Sequence, residues 1–165
     1  MGNRRKVRIG VTGAFMAKTE KAIFTNMCMI TRGEQVLVLD RKNPDWPGVT
    51  FPGGHVEKEE SFVDSVIREV YEETGLTIEN PVLCGTKQFQ VDGDTRYVVF
   101  FYRTDKFTGE LKSSHEGEVF WIDRKDLPHY PLAPDMEDMV QVMESESLSE
   151  FYYYKENGSW KYKLL

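Results

Sequence analysis

A chain of 165 residues with 40% hydrophobic, 13% aromatic and 29% charged content fits one soluble globular domain burying ~70% of its unfolded surface, and needs no second core. The formal net charge of -6 excludes long nucleic acid as the main partner, because a phosphate backbone is held mainly through a basic surface; a single nucleotide stays open, since a metal bridges two anions. No apolar run reaches about 18 residues, which excludes a spanning helix and a membrane role, and Cys28 and Cys84, without CxxC spacing or a His cluster, read as buried inert thiols of a reducing, cytoplasmic setting.

Residues 1–21 have a basic start, and Arg8 interrupts their few apolar positions. A signal sequence needs a longer uninterrupted apolar stretch, so this segment reads as a mobile N-terminal arm, with Met16 as an alternative start, ahead of a single domain over residues 22–165. Ala22–Ile30 and Gln35–Asp40 predict two strands around the Arg32-Gly33-Glu34 turn. Asn43–Gly48 is rich in turn formers and predicts a loop. Thr50-Phe51 then leads into Pro52-Gly53-Gly54-His55, a backbone-permissive turn.

Ser61–Thr74 predicts a helix, with Ser61 and Asp64 as a capping-box variant and Gly75 as the stop. Phe62, Val63, Val66, Ile67 and Val70 form its apolar stripe, and Glu69, Glu72 and Glu73 lie off it. Val82–Val91 and Arg96–Arg103 predict strands joined at Asp92-Gly93. Leu111 and Glu118–Ile122 suggest shorter strands, and Lys125–Leu127 a single turn. Asp135–Glu144 predicts a second helix, for which Asp135 is a suitable N-cap. Phe151–Lys155 and Trp160–Leu164 flank a turn-rich tetrapeptide and predict a C-terminal hairpin capping the core.

The acidic end of the first helix carries the chemistry. Like charges three and four apart cost about 0.2 to 0.5 kcal/mol per pair, and the negative end of the helix dipole disfavours each anion by a further ~0.3 to 1 kcal/mol. A hard divalent cation reverses the sign, because one charge pair at 4 Å is worth about 4 kcal/mol at an effective dielectric of 20. Mg²⁺ takes oxygen ligands and is commonly shared between a few carboxylates and substrate phosphates.

From Gly54 to Leu76 the chain reads GHVEKEESFVDSVIREVYEETGL. Gly54, Glu60, Arg68-Glu69, Val70, Glu72-Glu73, Gly75 and Leu76 fall at spacings that resemble the Nudix box at every specified position. The resemblance implies an α/β Nudix fold, a mixed β-sheet sandwiched between helices. It also implies hydrolysis of a nucleoside diphosphate linked to a further group, with Mg²⁺ or Mn²⁺. By position, the metal ligands would be Glu69, Glu72, Glu73 and the Gly53 carbonyl. Glu60 and Arg68 would orient them, and Glu69 would be the first candidate for general base.

Outside the box the chain is similar to the MutT-type branch, and local segments resemble Gram-positive bacterial 8-oxo-dGTP diphosphatases. That resemblance implies a nucleoside triphosphate substrate cleaved to monophosphate and pyrophosphate in nucleotide-pool sanitation. Phe51-Pro52-Gly53-Gly54 matches its entry motif, with Gly54 close to the phosphates. Arg41 matches a phosphate-binding basic residue. Glu116, five residues before Trp121, matches a further metal ligand and is the second candidate base. Ala133-Pro134-Asp135 resembles a base-reading stretch. Asn26, an amide in an apolar strand, is a candidate for the purine edge, and Phe51, Phe89 and Trp46 are candidates for stacking. His55 departs from the branch, which carries Lys there, and replaces a permanent cation with a titratable one.

Three rival functions remain at this stage. Hydrolysis of ADP-ribose or another nucleoside diphosphate derivative is disfavoured because the proline that follows the box by some fifteen residues in the ADP-ribose group is absent between Val82 and Leu127. RNA 5′ pyrophosphohydrolysis is disfavoured by the acidic composition. A non-catalytic nucleotide sensor is disfavoured because all box glutamates are present. Monomer and homodimer are both compatible with the sequence.

Overall fold

The computed structural model describes residues 19–165. Residues 1–18, including Met16 and most of the expected arm, lie outside the described part. The strands are β1 (Lys21–Arg32), β2 (Gln35–Arg41), β3 (Gly48–Thr50), β4 (Leu76–Ile78), β5 (Val82–Asp92), β6 (Thr95–Thr104), β7 (Phe107–Gly109), β8 (Gly117–Asp123), β9 (Glu150–Glu156) and β10 (Ser159–Leu164). The helices are α1 (Phe62–Thr74) and α2 (Met136–Glu144), with a 3₁₀ turn over Arg124–His129.

Eight strands form one mixed sheet in the order β10-β9-β5-β6-β1-β2-β3, with β8 also paired to β2. The β1–β6 ladder is parallel from Lys21↔Thr95 to Ile30↔Thr104, β5 and β6 form an antiparallel hairpin, and β9 joins β5 in parallel. Strand alternation sends neighbouring side chains to opposite faces, and both faces of the central strands are apolar. Cys28, Ile30, Leu37 and Leu39 pack with Val66 and Val70 of α1. Met27, Met29, Val36 and Val38 pack with Met136, Met139, Val140, Val142 and Met143 of α2, together with Phe101 and Phe151. The sheet is thus covered by one helix on each face, as expected for the Nudix fold. Each fully buried aliphatic or aromatic side chain contributes roughly 1.5–3 kcal/mol.

Some details differ from the sequence expectation. The strand anticipated at Leu111 lies at Phe107–Gly109, paired with Leu76–Ile78 in a separate two-stranded sheet; three-residue strands are too short to show a period. Phe62 and Val63 remain 40% and 43% exposed, so the buried stripe of α1 is narrower than its hydrophobicity suggests, and Phe62 packs beside Phe24 and Phe100 instead. Asp135 precedes α2 with φ 69 and makes no side-chain cap bond. Cys28 is fully buried, whereas Cys84 is only partly so. No helix among the described residues is long and apolar enough to cross a membrane.

Candidate active site

Helix α1 is fixed at both ends. The Ser61 hydroxyl accepts the Asp64 amide at 3.0 Å, and Gly75 ends the helix at φ 73 while donating its N–H to Tyr71. The preceding turn is tied to β1, where the Asn26 N–H donates to the Gly54 carbonyl and the Cys28 N–H to the Pro52 carbonyl. Gly53 sits at φ 156, where a Cβ would collide with the Asn26 and Met27 backbone, and a Cβ on Gly54 would run into the Glu69 carboxylate. Only a glycine at 53 lets this turn lie against the strand, and the bare Gly54 leaves the Glu69 carboxylate its place.

Arg68 organises the acids. Its guanidinium makes a two-pronged pair with Glu60 at 2.8 and 2.9 Å, and also donates to Glu69 at 2.8 Å, to Glu72 at 3.2 Å and to the His55 carbonyl at 2.9 Å. The arginine hydrogen bonds hold the Glu60 carboxyl at about 2, well below the ordinary range. Glu73 is the most enclosed of the three, 6% exposed, with its Oε2 accepting the Gly53 N–H at 2.8 Å. Burial pushes its carboxyl up to about 8 against that hydrogen bond, and the like charges of Glu69 and Glu116 add to the rise while Arg41 opposes it. Glu69 is also raised by burial, with the Arg68 hydrogen bond pulling the other way. The crowding anticipated from sequence is therefore relieved in two ways, by arginine for Glu69 and Glu72 and by a costly buried carboxyl for Glu73.

Among the described residues no three acidic, histidine or cysteine side chains converge as a ready-made metal cage, because Glu69 and Glu72 face Arg68 and Glu73 faces Gly53. The donor set nevertheless fits a hard cation. It consists of carboxylate oxygens from successive turns of one helix, one of them buried and expensive to ionise without a compensating charge.

Beside the turn lies a pocket of about 340 Å³ whose walls include Arg41, Trp46, Gly53, Gly54, His55, Lys87 and Phe89. The Arg41 Nε is buried without a hydrogen-bond partner among the described residues, and its guanidinium stands 5.4 Å from the Trp46 ring centre. A buried orphan donor calls for an acceptor, which an anionic ligand supplies. Glu116 joins this region through its charge on Glu73 and lies 3.1 Å from the exposed His115. His55 is exposed at the pocket rim.

Several expected base-binding side chains are otherwise engaged. Phe51 is 2% exposed and belongs to the core, so no free face remains for stacking. The Asn26 amide donates to Ser65 at 2.8 Å and accepts a long bond from the Gly54 N–H, clamping helix to turn. Asp135 borders a neighbouring hollow of about 460 Å³ with Pro134, Tyr153 and Trp160. Both its oxygens are taken, by the Lys87 ammonium and the Tyr153 hydroxyl, each at 2.7 Å. Lys87, Tyr153 and Trp160 did not figure in the sequence expectation for the site. The available signal was a lysine in phase with Gly85, Phe89 and Val91, the one charge on an otherwise apolar face of that strand.

The NUDIX domain family description matches residues 24–143. The chain is 38% identical over 112 residues to an uncharacterized Nudix hydrolase, YvcI, of Bacillus subtilis, covering 65% of this chain and 70% of that one. It is 32% identical over 117 residues to an ADP-ribose pyrophosphatase of Methanocaldococcus jannaschii, covering 68% of each. Among solved structures, the MutT protein of Bacillus halodurans superposes with a TM-score of 0.69 at 28% identity, over 86% of this chain and 97% of that one.

Proposed function

The chain belongs to the Nudix hydrolase family, and from that premise we propose that it cleaves nucleoside triphosphates to monophosphate and pyrophosphate, with oxidised purine nucleotides such as 8-oxo-dGTP as preferred substrates. The observation that carries the proposal is the junction of two features: the Arg68-centred acid cluster, and a pocket in which the Arg41 Nε lacks an acceptor.

Glu69, Glu72, Glu73 and the Gly53 carbonyl are the groups that would hold Mg²⁺ or Mn²⁺, with Glu116 as a further ligand. A bound divalent ion lowers the pKa of a water molecule and screens the phosphate charge. The protein's own residues supply the remainder. Arg68 orients Glu69 through a charge-assisted bond, and Glu69 lies against the Gly54 backbone, where the turn meets the pocket. Glu69 is therefore assigned the proton of the attacking water, with Glu116 as the second candidate. Arg41 and His55 face the polyphosphate from the pocket wall.

A second reading, hydrolysis of ADP-ribose, is supported by the Methanocaldococcus jannaschii relative. A nucleotide screen with Mg²⁺ separates the two. Pyrophosphate and monophosphate release, with 8-oxo-dGTP favoured over dGTP by more than about tenfold, supports the first. AMP and ribose 5-phosphate from ADP-ribose, without triphosphate cleavage, would replace it with the second.

A further inference from the structure

Lys87 is an ammonium inside an aromatic wall. Its side chain is 9% exposed, and its Nζ lies 5.0 Å from the Phe151 ring centre and 5.3 Å from that of Tyr153. An ammonium has three donors, and the described residues take one of them, through Asp135 at 2.7 Å. The other oxygen of Asp135 accepts the Tyr153 hydroxyl at 2.7 Å. Lys87 borders both hollows, whereas Arg41, Gly54 and His55 border only the one beside the acids. It therefore stands towards the part of the pocket lined by rings, where Phe89 stacks on Tyr97 at 17° between planes and Trp46 is shared by both hollows.

We propose that Lys87, held by Asp135 and Tyr153, reads the nucleobase by donating to a ring carbonyl oxygen, so that the pocket selects oxo-bearing bases over those without a carbonyl. The polarity is the reverse of what a free carboxylate would read. Asp135 alone would accept a hydrogen bond from a base N–H, whereas bonded through one oxygen to Lys87 and through the other to Tyr153 it serves as the anchor that aims the lysine. A base carbonyl suits the remaining donors, because an acceptor hydrogen-bonded to a charged donor is favoured while an exocyclic amino group would leave the ammonium unmatched. The aromatic walls of Trp46 and Phe89 fit a flat ring.

This inference rests on the pocket being a nucleotide site, and its test is binding rather than turnover. Titration calorimetry with dAMP, 8-oxo-dAMP, dGMP and 8-oxo-dGMP compares bases with no carbonyl, one at C8, one at C6, and both. The expected result is that the best oxo-bearing nucleotide binds the wild-type protein more than about tenfold tighter than dAMP. In Lys87→Met that ratio falls to within about threefold, and Lys87→Gln, which still offers an amide N–H, retains part of it. The ratio within one preparation is independent of the fraction folded. A preference that survives in Lys87→Met, equal affinities in the wild type, or a uniform loss across all four ligands, as for a lysine serving the phosphate, would overturn the assignment. Wild-type protein that keeps the oxo preference but cleaves no triphosphate would sink the hydrolytic substrate proposal and leave Lys87 standing.

Discussion

Arg68 is the residue whose contacts say most about the chemistry, because one guanidinium reaches Glu60, Glu69 and Glu72. Glu72 is the most exposed of its partners, so Glu72→Gln is expected to leave thermal melting unchanged or slightly raised without metal, while turnover of any accepted nucleotide is lost; near-normal turnover in that variant refutes the metal assignment. Glu60→Gln breaks the two-pronged pair that aims Arg68, and activity should fall by about 10–100-fold, measured as kcat/KM at saturating Mg²⁺. The residues of the box were legible because their meaning lies in local spacing on one helix. Lys87 and its pairing with Asp135 were not, since the two meet across 48 positions of sequence, and no local pattern reports that a carboxylate suited to an N-cap will turn away to an ammonium.

Elements carry the next set of consequences. Helix α1 and the Gly53-Gly54 turn were readable from the cap residues and the glycine pair, and the structure bears out Ser61 and Gly75 as the ends. The β4–β7 ladder was not, since neither strand is long enough to alternate. Gly75 holds a left-handed conformation with the Glu110 carbonyl close by, so Gly75→Ala is expected to lose at least about 1 kcal/mol of unfolding free energy in a urea titration. Phe151 ties β9 to the α2 face of the sheet and is fully buried. Its replacement by Ala should cost roughly 3–5 kcal/mol and loosen the wall that contains Tyr153, visible as a lowered urea midpoint together with altered near-ultraviolet dichroism.

At the scale of the molecule, two helices on opposite faces of one mixed sheet leave both thiols inside or half inside. Burial raises Cys28 far above the ordinary thiol range and Cys84 to about 11. A thiol is reactive as the thiolate, so native protein at pH 8 should modify slowly with a disulfide reagent, Cys84 should accelerate as pH rises towards 11, and unfolding should release two rapidly titrating thiols per chain. Rapid labelling of both in the native state at pH 8 contradicts this packing. The layered architecture itself was legible, because β1 and β2 are apolar on both faces and need a cover on each side. The strand order was not, as two of the ladders are parallel and join distant segments.

The parallel seam between β5 and β9 has a temporal meaning as well. A nascent chain leaving the ribosome presents the glutamate helix and its glycine turn first, and Tyr153 and Trp160 emerge only well after both. Closure of so distant a ladder is slow, so the wall built by Tyr153 and Trp160 is expected to join the cleft after the acidic helix has formed.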